Sequence, residues 1–91
     1  MYLGIDLGTS GVKALLIDNE QQAIASATVP LSVSRPNTGW SEQSPADWIR
    51  ATEAALDELK RDNEQALASV RGIGLSGHMH GATLLDASDE P

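Results

Sequence analysis

The feature that most narrows what this chain can fold into is its opening, Met1-Tyr-Leu-Gly-Ile-Asp-Leu-Gly-Thr-Ser-Gly-Val-Lys-Ala-Leu-Leu-Ile-Asp18. Two apolar runs, residues 2–7 and 12–17, flank Gly8-Thr9-Ser10-Gly11. Apolar and β-branched runs broken by a glycine-bounded polar turn predict two antiparallel strands joined in a hairpin. Strand alternation places Leu3, Ile5 and Leu7 on one face and Tyr2, Gly4 and Asp6 on the other. Asp6 thus closes a mostly apolar strand, just ahead of a turn rich in backbone donors. A carboxylate buried there without partners costs several kcal/mol, a large share of the ~5–15 kcal/mol that holds a domain together. It must be hydrogen-bonded locally, or it must open onto a cleft that holds a cation.

Each option has a concrete form. In the plainer one, Asp6 braces the hairpin through Asx-type bonds to the amides of Gly8 or Thr9. In the sharper one the turn is a phosphate site. Gly8 and Gly11 let the backbone approach a ligand closely, and the turn amides with the Thr9 and Ser10 hydroxyls ring anionic oxygens. Asp6 then holds Mg²⁺, through water, because that ion sheds its hydration shell reluctantly. Lys13 adds positive charge in this reading; in the plainer one its stem packs while its head reaches water.

Size and composition set the bounds. A chain of 91 residues builds one small domain that hides a modest share of its surface. No window approaches the ~20 apolar residues of a membrane span, and Met1 leads straight into a strand with no targeting segment visible. The absence of cysteine excludes disulfides and thiolate metal sites and fits a cytoplasmic location. Thirteen acidic against six basic residues argue against nucleic acid, whose phosphates are held by Lys and Arg. A nucleotide remains compatible, since turn amides and a metal can carry its charge.

Beyond the hairpin, residues 18–21 read as a turn and 22–31 as a third strand, with Pro30 at its end. Residues 32–43 form a loop whose only large apolar residue, Trp40, is expected to plug it onto the body in preference to stacking on a ligand; Glu42 reads as a solvated acid. Ser44-Pro45-Ala46-Asp47 specifies a helix start, with Ser at N-cap, Pro at N1 and an acid at N3. Trp48, Ala51, Ala55, Leu56 and Leu59 give that helix one apolar face. It is predicted over 45–62, with Lys60 and Arg61 suiting its C-terminus, Asn63 as the stop and a further helical turn over 64–69.

Residues 70–77 read as a fourth strand that happens to spell G-x-G-x-x-G. A dinucleotide fingerprint needs those glycines between a strand and a helix, whereas here Val70, Ile73 and Leu75 run through them and residues 82–86 are strand-like. The glycines are better read as close backbone approach, to the crossing helix. Next, His78-Met79-His80-Gly81 places two histidines at i and i+2, a poor metal site without a third ligand; surface or loop-packing histidines are the default.

Gly4-Ile-Asp-Leu-Gly-Thr-Ser-Gly-Val-Lys13 resembles the first phosphate motif of the actin, sugar-kinase and heat-shock-chaperone superfamily, and most of all its FGGY carbohydrate kinases. Gly39-Trp-Ser-Glu-Gln-Ser-Pro45 resembles the loop before that family's first long helix, and the run from Gly74 to Asp86 resembles the xylulose-kinase segment ending in Gly-Gln-Met-His-Gly, with His78 where Gln is usual. The resemblance implies an α/β, ribonuclease-H-like fold in which residues 1–91 are the amino-terminal part of a first domain: a mixed sheet with three antiparallel strands leading, a helix on one face and a fourth strand returning parallel. It implies ATP and Mg²⁺ as cofactors and D-xylulose as the sugar, phosphorylated at its 5-hydroxyl. Asp6 is then the catalytic, metal-holding acid, Gly8, Thr9, Ser10, Gly11 and Lys13 bind the nucleotide, and Met79 and His80 contact the ketose. A kinase for another sugar, or a non-catalytic actin-like binding module, are the alternatives. The second domain and the base that accepts the hydroxyl proton have no counterpart in these 91 residues. An unpaired sheet edge would make the chain associate with itself.

Overall fold

A computed structural model of the chain describes residues 1–77 and 81–91. The hairpin forms where alternation and the glycine turn place it. Strand β1 (Tyr2–Leu7) pairs antiparallel with β2 (Gly11–Ile17), Tyr2 lying opposite Ile17 and Leu7 opposite Val12. The chain reverses again at Asp18, whose Oδ1 accepts the N–H groups of Glu20 and Gln22, both at 2.9 Å. Strand β3 (Ala23–Pro30) then pairs antiparallel with β2, and β4 (Ile73–Ser76) returns parallel to β1, giving the order β3-β2-β1-β4. This is the expected mixed sheet.

Helix α1 (Pro45–Ala68) covers one face. It starts as predicted, but the cap works differently. The Ser44 carbonyl accepts the Asp47 N–H at 2.9 Å while the Ser44 hydroxyl makes no capping bond, and the Asp47 carboxylate pairs with Arg50. The predicted stop at Asn63 is a kink instead of an end. Asn63 leaves helical geometry (φ −138°, ψ 36°) and its Nδ2 donates to the Leu59 carbonyl at 3.2 Å, after which the helix resumes to Ala68. A side chain inserted into the carbonyl ladder bends a helix without ending it while residues beyond can still pack. Ala66 and Leu67 do so, against the core. Lys60 and Arg61 therefore sit at the bend, and the last turn holds no basic residue.

The core is the predicted apolar face of α1 laid on alternate residues of the strands: Ala55 and Leu59 against Leu3, Ala14, Leu16 and Ala27. Alanines at 14, 27 and 55 let helix and sheet approach closely. The coverage is lopsided, because α1 packs on β2 and β3 and does not contact β4. Ile73 and Leu75 share a face with Leu3 and Ile5 by register, yet remain 62% and 77% exposed. The expectation that the glycines of residues 72–77 admit a crossing helix is therefore wrong. Gly72 instead faces the Tyr2 ring, Gly77 faces Leu7, and Gly74 is open.

Two further expectations fail. Residues 82–86 form no strand, and Leu84 and Leu85 lie exposed; a strand needs a ladder partner, and none of the described residues supplies one. Trp40 does not plug its loop. A backbone pair between Ser34 and Glu42 (both bonds 2.7 Å) and the turn closed by the Trp40 N–H on the Asn37 carbonyl put it at the loop tip, 54% exposed. Among the described residues no helix is long and apolar enough to cross a membrane.

Candidate functional site

The face of the sheet turned away from α1 carries the residues singled out by the hairpin. Register sets Asp6 beside Lys13 on β2 and Ser76 on β4, with Gly4, Leu15 and Gly74 in the next row. These six border a shallow depression of about 340 Å³. Asp6 is exposed, so its charge stays in water and no burial penalty arises.

The Asp6 carboxylate does not brace its own hairpin. Its Oδ1 accepts the Ser76 hydroxyl at 2.8 Å, from a residue 70 positions away, while the Gly8 N–H, one of the two amides expected to serve it, donates to the Gly11 carbonyl at 3.0 Å. Among the described residues no ion pair joins Asp6 to Lys13, whose ammonium group stays exposed above the same depression.

In the turn itself, three consecutive carbonyls are tied back. Thr9 accepts from Gln43 Nε2 at 2.6 Å, Ser10 from the Leu31 N–H at 3.0 Å, and Gly11 from the Gly8 N–H. Among the described residues the Thr9 and Ser10 N–H groups have no hydrogen-bond partner, and both residues are exposed. With these carbonyls held from within the chain, the unpaired amides of two exposed residues are donors available to an anion.

The glycines have an internal reason as well. A Cβ on Gly11 would lie 2.8 Å from the Val29 carbonyl oxygen, and one on Gly8 3.1 Å from the Gly11 carbonyl oxygen. Backbone cannot yield as a flexible side chain does, so Gly11→Ala is expected to destabilise the chain by about 1–3 kcal/mol. Urea denaturation reads this directly; an unchanged midpoint would show that the β2–β3 contact adjusts freely.

A divalent cation can be tested against these residues. Among the described residues there is no group of three His, Asp or Glu side chains able to cage a metal. One exposed carboxylate near two unpaired amides suits Mg²⁺, which keeps most of its water and is shared between a carboxylate or two and phosphate oxygens. The residues fit that ion in that role, and Asp6 would be the side chain to hold it, through water.

The structure thus brings together Asp6, Gly8, Thr9, Ser10, Gly11 and Lys13 at one end of the hairpin. Met79 and His80, and His78 with them, lie outside the described residues. Two contributors went unrecognised in sequence. Ser76 becomes visible only once β4 is known to run parallel to β1 in the register that pairs it with Asp6. Gln43 is 34 residues from its partner, and although it lies in the Gly39–Pro45 motif, that motif does not disclose its bond to Thr9. A second recess of about 540 Å³ reaches Thr9 from the loop side, lined among others by Gln43, Trp48, Thr83 and Leu84.

Comparison with known proteins decides the family. The sequence matches the N-terminal domain of the FGGY family of carbohydrate kinases over residues 1–91. The chain belongs to the FGGY carbohydrate kinases. It is 52% identical over 88 residues to a xylulose kinase of Klebsiella pneumoniae, covering 97% of this chain and 18% of that protein. Among solved structures it superposes on a xyloylose kinase from Brucella ovis with a TM-score of 0.92 and 58% identity, and on a xylulose kinase from Rhodospirillum rubrum with 0.88 and 32%; each match covers 97% of this chain and 18% of that one. The FGGY fold, of the actin-like sugar-kinase type, is therefore shown for this part. The chain spans 18% of the length of these relatives.

Proposed function

We propose that this FGGY segment forms the phosphate-binding side of an ATP-dependent kinase that converts D-xylulose to D-xylulose 5-phosphate in the cytoplasm. The observation that carries the reading is the turn in which the Thr9, Ser10 and Gly11 carbonyls are tied back while the Thr9 and Ser10 amides, on exposed residues, have no partner among the described residues, next to the exposed Asp6 carboxylate and Lys13. Phosphoryl transfer asks a protein for placement and charge neutralisation more than for covalent help. In this reading the turn amides, the Thr9 and Ser10 hydroxyls and Lys13 hold phosphate oxygens. Asp6, oriented by Ser76, holds Mg²⁺, which when bound neutralises part of the triphosphate charge. Met79 and His80 contact the ketose, Met79 by packing and His80 by hydrogen bonding. The choice of xylulose is supported by the names of the relatives in Klebsiella pneumoniae and Rhodospirillum rubrum.

No residue assigned here accepts the proton of the sugar hydroxyl, so the 91-residue chain by itself is expected to show no xylulose-dependent ATP turnover in a coupled assay. Turnover by the purified chain would overturn that. The function is tested by exchanging these 91 residues for the matching segment of the Klebsiella pneumoniae relative. The chimera is expected to phosphorylate xylulose; a folded chimera without that activity would defeat the reading.

A further inference from the structure

We propose that Gln43 is a positioning residue for the anion-binding turn, acting through the Thr9–Ser10 peptide. The inference rests on the reading of that turn as a phosphate site and adds the residue that sets its shape. Gln43 is half-buried at the end of the loop that leads into α1. Its Nε2 donates to the Thr9 carbonyl at 2.6 Å and its Oε1 accepts the Trp48 Nε1–H at 3.0 Å. Chemistry fixes the direction of both bonds. An indole N–H can only donate and a peptide carbonyl can only accept, so a single orientation of the Gln43 amide satisfies the two.

Trp48 lies in the first turn of α1 and is itself partly buried. Gln43 therefore relays the position of the helix start to the turn. A trans peptide points its C=O and its N–H in opposite directions. Drawing the Thr9 carbonyl toward Gln43 turns the Ser10 N–H away from it, toward solvent. Without this restraint an exposed peptide between Gly8 and Gly11 has freedom to rotate, and an amide turned inward is lost to an anion. Glutamine is the side chain the geometry asks for. Glutamate would accept from Trp48 but offers no proton to Thr9, and lysine would donate to Thr9 but cannot accept from Trp48.

The test uses the isotopically labelled 91-residue chain, with Mg²⁺ and inorganic triphosphate as the probe. In the wild type, the Thr9 and Ser10 amide resonances are expected to shift saturably, and a through-hydrogen-bond coupling should link Gln43 Nε2 to the Thr9 carbonyl carbon. In Gln43→Glu the coupling disappears and the dissociation constant for the probe rises about tenfold, the effect of misplacing one donor, while the dispersion of the spectrum is kept. Gln43→Met, of similar length but without either polar end, is measured alongside and should weaken binding to a similar extent, so that a folding defect peculiar to the introduced carboxylate does not decide the matter. Wild-type affinity in a folded Gln43 variant would overturn the positioning role and leave the phosphate site standing. A wild type that does not bind, with the Gln43–Thr9 coupling present, would overturn the phosphate site and the positioning role together.

Discussion

Asp6→Asn in the chimeric kinase is expected to fold normally and to lose turnover by on the order of a hundredfold or more, the scale seen when a charge-stabilising group is removed from an active site. The two halves of this expectation have separate causes. Folding should survive because Asp6 is exposed and its Oδ1 accepts from the Ser76 hydroxyl, a bond that an asparagine carbonyl oxygen can also accept. Turnover should fall because the substitution removes the negative charge beside the glycine-bounded turn and leaves the shape nearly unchanged. Lys13, the nearest cation by register, would then face the triphosphate with no acidic side chain left in that row to hold a second positive charge. Steady-state kinetics across a Mg²⁺ titration, with circular dichroism as the folding control, checks both halves. A near-normal rate would show that the carboxylate does not serve the metal. A variant that fails to fold would show that its bond to Ser76 is structural first.

Leu16→Ala is expected to destabilise the chain by about 2–5 kcal/mol, the range for emptying a fully buried leucine site. Leu16 is 0% exposed and sits where β2 meets α1, in a cluster with Leu59 and Ala55. Alanine neighbours cannot lean in to fill the space, so most of the cavity should persist. For a small domain near the lower end of the ~5–15 kcal/mol stability range, a loss of this size leaves a substantial unfolded population at room temperature. Thermal melts should drop by roughly 10 °C or more. Leu75→Ala is the control: at 77% exposure it should move the midpoint little. Equal losses at the two positions would mean that the core is not where α1 covers β2 and β3.

Much of this architecture was legible because its causes are local. Period-2 alternation either side of Gly8-Thr9-Ser10-Gly11 gives the hairpin, and Ser44-Pro45 gives the first residue of α1, whichever bond the serine makes. The helix end expected at Asn63 is a bend, because whether a break becomes an end or a bend depends on whether Ala66 and Leu67 find the core, which spacing does not disclose. The errors share that origin. Residues 82–86 have strand composition but no ladder partner among the described residues. Trp40 has the size to plug a loop, yet the Ser34–Glu42 pair carries it outward.

At the site the division is similar. The order of residues by itself determined that Asp6 lies on the face opposite Leu3 and Ile5 and that a glycine-bounded turn follows it, because strand pleat and turn chemistry act over a few bonds; that Lys13 stands beside Asp6 follows from the strand register. The tertiary structure alone decided what those groups touch. Ser76 reaches Asp6 across 70 residues and Gln43 reaches Thr9 across 34, contacts that exist because β4 docks parallel to β1 and α1 starts beside the turn. Hydrogen bonds of that span are set by packing, and packing is a property of the whole chain.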